Sequence, residues 1–379
     1  MKIVFITVSA PFGKRESFIT TELKQISLYE KNLFIFPLLR PKNTISDKSL
    51  VKFVLSRSRA KAIAVFFGQF IRKMIPIGKI LLRLSRTQKI KRFFYTLFFL
   101  PRTLLLVDWI EKEQIDHLHA YWGTSTATCA LITNYLTGVH FSFSIHRADI
   151  ETNDVLEFKA SKAKFIRSIS EWGKDKAESL EIPRSKIFVI HLGVNVLDIL
   201  PIRIKNQIIE LVAVANLIKL KRVAFLVEEI AKIPNLRLNI IGEGPEKRKI
   251  QKIVRKNKIC NRINFLGHLT SNELFFLYKD RRFDLFVLPS SIEGIPVSAM
   301  EAMANCIPVA ITKVGGSGEL VNSKNGYILK QDFSNLEKIL SRCPEPSKIT
   351  NAYNKVKKEF NVSRTSLKLL NTIRNYVEQ

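Results

Sequence analysis

Twelve short runs of β-branched and aromatic residues recur along the chain, separated by longer stretches whose apolar residues repeat with helical spacing. No other feature limits the fold as strongly, because this alternation is the pattern of a parallel α/β sheet covered by crossover helices. The first series is KIVFITV (2–8), NLFIFPL, DHLHAYW, HFSFSIH, KFIRSIS and KIFVIHL; the second is IIELVAVA, LRLNIIG, INFLG, DLFVLPS, IPVAIT and GYIL. A polar join, PIRIKNQ (201–207), separates them. The expected fold is therefore α/β, with two Rossmann-like domains whose parallel sheets face each other across a cleft and with the join as hinge. At 379 residues two domains are the natural expectation. Their expected limits are 1–200, a linker at 201–207, 208–345, and a C-terminal helical segment, 346–379, crossing back to the N-terminal domain.

The chain carries 61 Lys and Arg residues against 33 Asp and Glu, a formal net charge of +28. Such a balance points to an anionic partner. Its distribution is uneven: residues 48–107 hold fourteen cations and no acidic residue, interleaved with blocks such as FFYTLFFL. Basic and greasy together suggest a surface that lies on anionic lipid. An ordinary helix pair with a solvated basic face has the same general pattern, but the loss of every acidic residue favours the membrane. Lys and Arg interrupt the apolar runs, and Pro101 and Arg102 are expected to split the longest, short of the roughly 20 residues of a spanning helix. The four cysteines form no C-x-x-C pair and are expected as reduced thiols in a cytosolic protein. A strand-like run directly after Met1 leaves no signal peptide or anchor to expect. The expected location is cytoplasmic, peripheral on the inner face of the membrane.

Ligands of open parallel sheets bind beyond the carboxyl ends of the strands. In the second series these ends collect Gly and polar residues: NLIKLK, GEGP (with Gly242 and Gly244), GHLTSNE, SSIEGIP and KVGGSGE (with Gly315 and Gly316). Five such ends point to a nucleotide-sized ligand. Among them lie two carboxylates, Glu293 and Glu301, in PSSIEGIPVSAMEAMA. Pro296 suits the first position of a helix, which leaves Glu293 in the loop before it and Glu301 within it. The amides around Gly294, Ile295, Pro296 and Val297 then lie at the positive end of the helix. A carboxylate accepts two hydrogen bonds, as adjacent sugar hydroxyls require. Any one E-x7-E spacing taken alone is more often a turn residue and a solvated helix face.

The pair does not stand alone. The stretch EGIPVSAMEAMANCIPVAITKVGGSGE closely resembles the family-4 (group 1) retaining glycosyltransferases of the GT-B fold, and the resemblance extends over roughly residues 1–329. ESFITTEL and HAYWGTSTATCALITNYLTGVHFSFSIHRAD are similar to segments of its exopolysaccharide and colanic-acid branch. The resemblance implies that Glu293 contacts the donor sugar, that Glu301 binds the nucleotide ribose, and that His146 and Asp149 lie near the sugar. It gives Lys221, with Glu293 and His146, a place in the catalytic set, and Gly13 a place in the first donor-binding loop. Two departures stand out: Asn216 occupies the position of a family arginine, with Lys219 or Arg222 as partial compensation, and Gly13 is the remnant of a twin glycine. His117 and His119, two apart in a strand, are expected as packing rather than as a metal pair.

The implied reaction moves a hexose from a nucleotide sugar to a lipid-linked glycan in cell-surface polysaccharide synthesis, with no cofactor and no metal. The departing diphosphate is stabilised by Lys221, Asn216 and backbone amides, and itself takes the acceptor's proton. The competing reading is a non-catalytic basic protein with a degenerate version of this fold, binding a membrane surface or nucleic acid. Nucleic acid is not expected, because the Phe residues form apolar blocks instead of stacking positions on a sheet.

Overall fold

The computed structural model describes residues 1–12, 16–39, 50, 59–196, 209–280 and 283–378. Gly13, the join 201–207 and much of the segment 48–58 lie outside the described residues. The chain divides into two compact units, Met1–His191 with Thr365–Gln379, and Leu192–Arg364.

All twelve apolar runs form strands. In the first unit these are β1 (Ile3–Thr7), β2 (Leu33–Pro37), β3 (His117–Ala120), β4 (His140–Ile145), β5 (Ile166–Ser168) and β6 (Ile187–Val189). The second holds β7 (Ile209–Val214), β8 (Leu236–Ile241), β9 (Ile263–Gly267), β10 (Leu285–Leu288), β11 (Val309–Thr312) and β12 (Tyr327–Leu329). Each set makes one parallel six-stranded sheet, ordered β2-β1-β3-β4-β5-β6 and β12-β11-β10-β7-β8-β9. Helices cover both faces, so the strands are continuous apolar runs rather than alternating ones; every residue of β1, β3 and β10 is buried.

The order of each sheet reverses once. In the first unit the chain turns away from β2 and adds β3 on the other side of β1; in the second it adds β10 on the far side of β7. A crevice opens at such a reversal, beyond the carboxyl ends of the two adjacent strands. The loops after β1 and β3, and those after β7 and β10, are therefore the places where each unit is built to hold a ligand.

Three consecutive helices, Arg59–Arg72, Met74–Thr87 and Ile90–Glu113, carry the acid-free segment. Here the structure corrects the sequence reading. Pro101 does not split the last helix, which runs unbroken for 24 residues. By length and composition it would cross a membrane, and half of its most apolar window is buried within the first unit. Its residues Phe99, Leu100, Leu104, Leu106 and Val107 belong to the core, and that packing outweighs the backbone bond that proline removes.

Candidate active site

Beyond the second sheet, the loop after β7 and the loop after β10 meet through a backbone bond from the Ser291 amide to the Leu220 carbonyl, 2.8 Å. The same junction pairs two of the residues singled out by sequence. The Lys221 ammonium forms an ion pair with Glu293 Oε1, and the Ser290 hydroxyl donates to the same oxygen at 2.6 Å. Ser290 is fixed in turn by the Thr312 hydroxyl, which donates to its carbonyl. Glu293 is only 6% exposed, so its charge is held by a cation and a hydroxyl, as a buried carboxylate requires.

The glycine loop after β11 closes on the backbone of the same glutamate. The Gly316 amide donates to the Glu293 carbonyl at 3.2 Å. Gly315 has φ +53°, and a Cβ there would lie 2.0 Å from that carbonyl oxygen, so only glycine brings the two loops this close. Gly242 performs the same service between β8 and β7: φ is +136°, and a Cβ would lie 1.9 Å from the Ala215 carbonyl oxygen. Gly244 sits against the Leu217 carbonyl. The glycines of GEGP thus let neighbouring strand ends approach.

The helix Val297–Ala304 follows, with Pro296 as its N-cap (φ −82°, ψ 99°) one position before the helix proper. Gly294, Ile295 and Pro296 are buried beneath the turn, and the leading amides of the helix have no carbonyl one turn back to bind. Glu301 lies in this helix, within reach of the Ser271 hydroxyl; burial pushes its carboxyl up to about 7, and the Ser271 hydrogen bond pulls in the other direction. Asn216 is exposed at the end of β7. Arg222 is not available as a substitute for the missing arginine: it donates to the Gln331 carbonyl at 2.7 Å and lies over Phe225 and Phe333. Lys219 is the exposed cation left in that loop.

The first unit carries a different arrangement at its own reversal, centred on a residue without an assigned role in the sequence reading. Glu16 is 3% exposed, and its carboxylate accepts from the amides of Ser9 (2.5 Å) and Ala10 (2.7 Å) and from the Ser9 hydroxyl (2.8 Å). The Trp122 indole N–H donates to its other oxygen at 2.7 Å. One carboxylate therefore ties the loop after β1 to the loop after β3. Trp122 packs on the His146 ring at 4.2 Å between centroids, and Phe18 lies 5.8 Å from the same ring.

His146 follows β4. Its amide donates to Asp149 Oδ2 at 2.9 Å, and its Nδ1 is 3.4 Å from that oxygen. Among the described residues neither ring nitrogen has a hydrogen-bond partner. Asp149 is 1% exposed and lies under Gly123, where a Cβ would meet Asp149 Cβ at 3.1 Å. Its observed work is to position His146. The buried Lys159 completes the support, donating to the Gly123 carbonyl (2.9 Å), the Thr124 carbonyl (3.3 Å) and Asp154 (2.9 Å). His117 and His119 are packed inside the sheet, bonded to the hydroxyls of Ser142 and Ser144; burial pushes His117 down to about 3.

Two parallel six-stranded units, each with its polar loops gathered at the reversal, define the GT-B class. Residues 201–345 match the family "Glycosyl transferases group 1". It is 28% identical over 260 residues to a Salmonella typhimurium protein named as colanic acid biosynthesis glycosyltransferase WcaL, a match covering 60% of this chain and 63% of the relative. The Escherichia coli K12 protein of the same name is 28% identical over 207 residues, covering 49% of this chain and 50% of the relative. The chain thus spans between half and two thirds of the length of these relatives. Among solved structures, HepE of Anabaena in complex with UDP-glucose superimposes with a TM-score of 0.73 over 99% of this chain and 100% of HepE, at 13% identity.

Proposed function

We propose that this protein transfers a hexose from a nucleotide sugar to a lipid-linked glycan in the synthesis of a cell-surface polysaccharide, with retention of configuration at the sugar carbon. The reading rests on the Lys221–Glu293 pair at the reversal of the second sheet, inside the segment that matches the group 1 family. An ammonium has three N–H donors, so Lys221 keeps donors for a phosphate oxygen while Glu293 fixes its direction. Asn216 and the amides of Gly315 and the helix at Val297 add donors without charge, while the Gly316 amide stays on the Glu293 carbonyl. Glu301 takes the ribose hydroxyls, and HepE with UDP-glucose is the precedent for a nucleotide-sugar ligand on this fold.

In the proposed step the bond between the sugar C1 and the phosphate oxygen breaks, and a bond from C1 to the acceptor oxygen forms on the same face. The acceptor proton passes to the departing phosphate. No metal or other cofactor is assigned to the step.

The first unit docks on the cytoplasmic face of the inner membrane. Ile63, Phe67 and Ile71 form one exposed stripe at helical spacing, and Ile90, Phe94 and Phe98 form another. Lys89 and Lys91 flank the second, and each cation near anionic lipid adds about 1 kcal/mol of attraction.

Calorimetry with UDP-, GDP- and ADP-hexoses is expected to give one saturable donor. Product formed from that α-linked donor is expected to be α-linked by the anomeric couplings in its NMR spectrum. A β linkage from a gluco- or galacto-configured donor overturns the retaining mechanism, and no binding of any nucleotide sugar overturns the transferase reading.

A further inference from the structure

On the first unit, away from both reversals, the helices Met74–Thr87, Ser125–Thr137 and Leu156–Lys162 enclose a cavity of about 150 Å³. That is below the 300 Å³ or so at which pockets for drug-sized ligands begin. Its floor is apolar, with Ile80, Leu131 and Phe158, and its rim carries three cations, Lys79, Arg83 and Lys162, with no acidic residue in the lining. Among the described residues none of the three is in an ion pair. The Arg83 guanidinium lies 3.9 Å over the Phe158 ring, an arrangement that orients it while its in-plane N–H groups stay available. Cations so gathered repel one another, and an anion relieves that repulsion.

The surroundings say which anion. Ile75, Lys79, Leu82 and Arg86 are spaced four, three and four residues apart, which places them along one face of their helix. Ile75 and Leu82 are 69% and 53% exposed. A ligand seated at Lys79 and Arg83 therefore has apolar side chains beside it on the same helix. We infer that this cavity binds the exposed phosphomonoester of an anionic lipid headgroup, with the lipid's hydrocarbon chains lying along the Ile75–Leu82 face. The inference rests on the membrane reading above and adds to it a specific site: the surface recognises a phosphate headgroup as well as negative charge.

Binding to vesicles of phosphatidylcholine doped with phosphatidic acid, or with phosphatidylglycerol at matched surface potential, tests it. The parent protein is expected to bind the phosphatidic acid vesicles at least tenfold more tightly, since an exposed phosphomonoester accepts several charge-assisted hydrogen bonds. Lys79→Gln with Lys162→Gln is expected to abolish that preference. Lys89→Gln with Lys91→Gln, outside the cavity, is expected to weaken both vesicle types by about fivefold per cation and leave their ratio unchanged. All four positions are exposed, and unchanged thermal unfolding of each variant checks the fold. Equal affinity of the parent for the two vesicles, or a preference that survives Lys79→Gln with Lys162→Gln, overturns the site while leaving membrane docking intact. Failure to bind either vesicle overturns docking itself. Inorganic phosphate tested alone by calorimetry is expected to give no saturable binding; saturable binding that the cavity variant removes, without any vesicle preference, assigns the cavity to free phosphate and overturns the lipid.

Discussion

Glu301 carries opposite requirements for folding and for ligand binding, and Glu301→Gln separates them. Burial raises its carboxyl from 4.5 to about 7, so the fold favours the neutral form. The stability that this form contributes is fully present below the unfolded value near 4.5 and is lost as pH rises through about 7, because the unfolded chain releases its proton first. At 1.36 kcal/mol per pH unit the whole effect is about 3 kcal/mol, an upper bound for a residue that keeps some solvent contact. Glutamine has the same shape, does not titrate and can still bond Ser271. Urea unfolding at pH 8 is expected to find the variant more stable than the parent by up to about 3 kcal/mol, the two converging below pH 5.

Binding is expected to move the other way. A carboxylate that accepts from ribose hydroxyls contributes about 1.5 to 3 kcal/mol, so at pH 8 the variant should bind a nucleotide sugar at least tenfold more weakly. The parent should itself lose affinity below pH 7, by about tenfold at pH 6, as the carboxyl takes up its proton. A nucleotide sugar is the proper probe, since its phosphodiester groups do not titrate in this range. Equal stability and equal affinity at pH 8 would refute the reasoning and return Glu301 to an ordinary solvated helix position. A gain in stability with unchanged affinity would keep the buried acid and remove the ribose.

Lys221→Ala leaves the buried Glu293 carboxylate without its cation and the diphosphate without its charge; turnover should fall by about 10² to 10³ in a product assay, while the affinity of a nucleoside lacking phosphates stays unchanged. Gly315→Ala forces a Cβ into the Glu293 carbonyl at 2.0 Å in a left-handed conformation; a loss of about 1 to 3 kcal/mol in thermal unfolding is expected, with weaker donor binding, and an unperturbed variant would mean that the two loops are not held together. Glu16→Gln confronts the Ser9 and Ala10 amides with a ligand that no longer carries charge, at about 2 to 4 kcal/mol by urea unfolding. Trp122→Phe, which removes one bond of the same set, should cost about 1 kcal/mol.

Most strands were legible because they are runs buried on both faces and bounded by polar loops, so pattern and environment agree; β6 and β9, at the sheet edges, are partly exposed. The helix through Pro101 was not: local chemistry argues for a break there, and only the packing of Phe99, Leu100 and Leu104 in the core overrides it. Lys221, Glu293 and Glu301 were found through motif spacing, but the pairing of the first two spans 72 residues and no spacing announces it. Glu16 and Trp122 are 106 residues apart, and neither alone differs from an ordinary helix cap or core aromatic. Arg222 looked free beside Lys221 because its partners, Phe225, Phe333 and the Gln331 carbonyl, become neighbours only through the fold.

The two reversals solve the same problem with opposite polarity. In the first unit the Glu16 charge is absorbed by the amides and one hydroxyl of its own loop and by Trp122, and Trp122 and Phe18 pack against the His146 ring. In the second, Lys221 pairs with Glu293, whose carbonyl takes the Gly316 amide just before the helix Val297–Ala304. A surface of aromatic rings and one imidazole suits a hydroxylated sugar, and a surface of ammonium and N–H donors suits phosphates. With Asn216 uncharged and Arg222 engaged elsewhere, Lys221 is the principal cation of that second surface and Lys219 its exposed neighbour. Donor binding should therefore depend on hydrogen-bond donors more than on net charge, and so weaken little as salt rises. The membrane attachment proposed above, drawing on surface cations such as Lys89 and Lys91, should weaken steeply over the same range of salt.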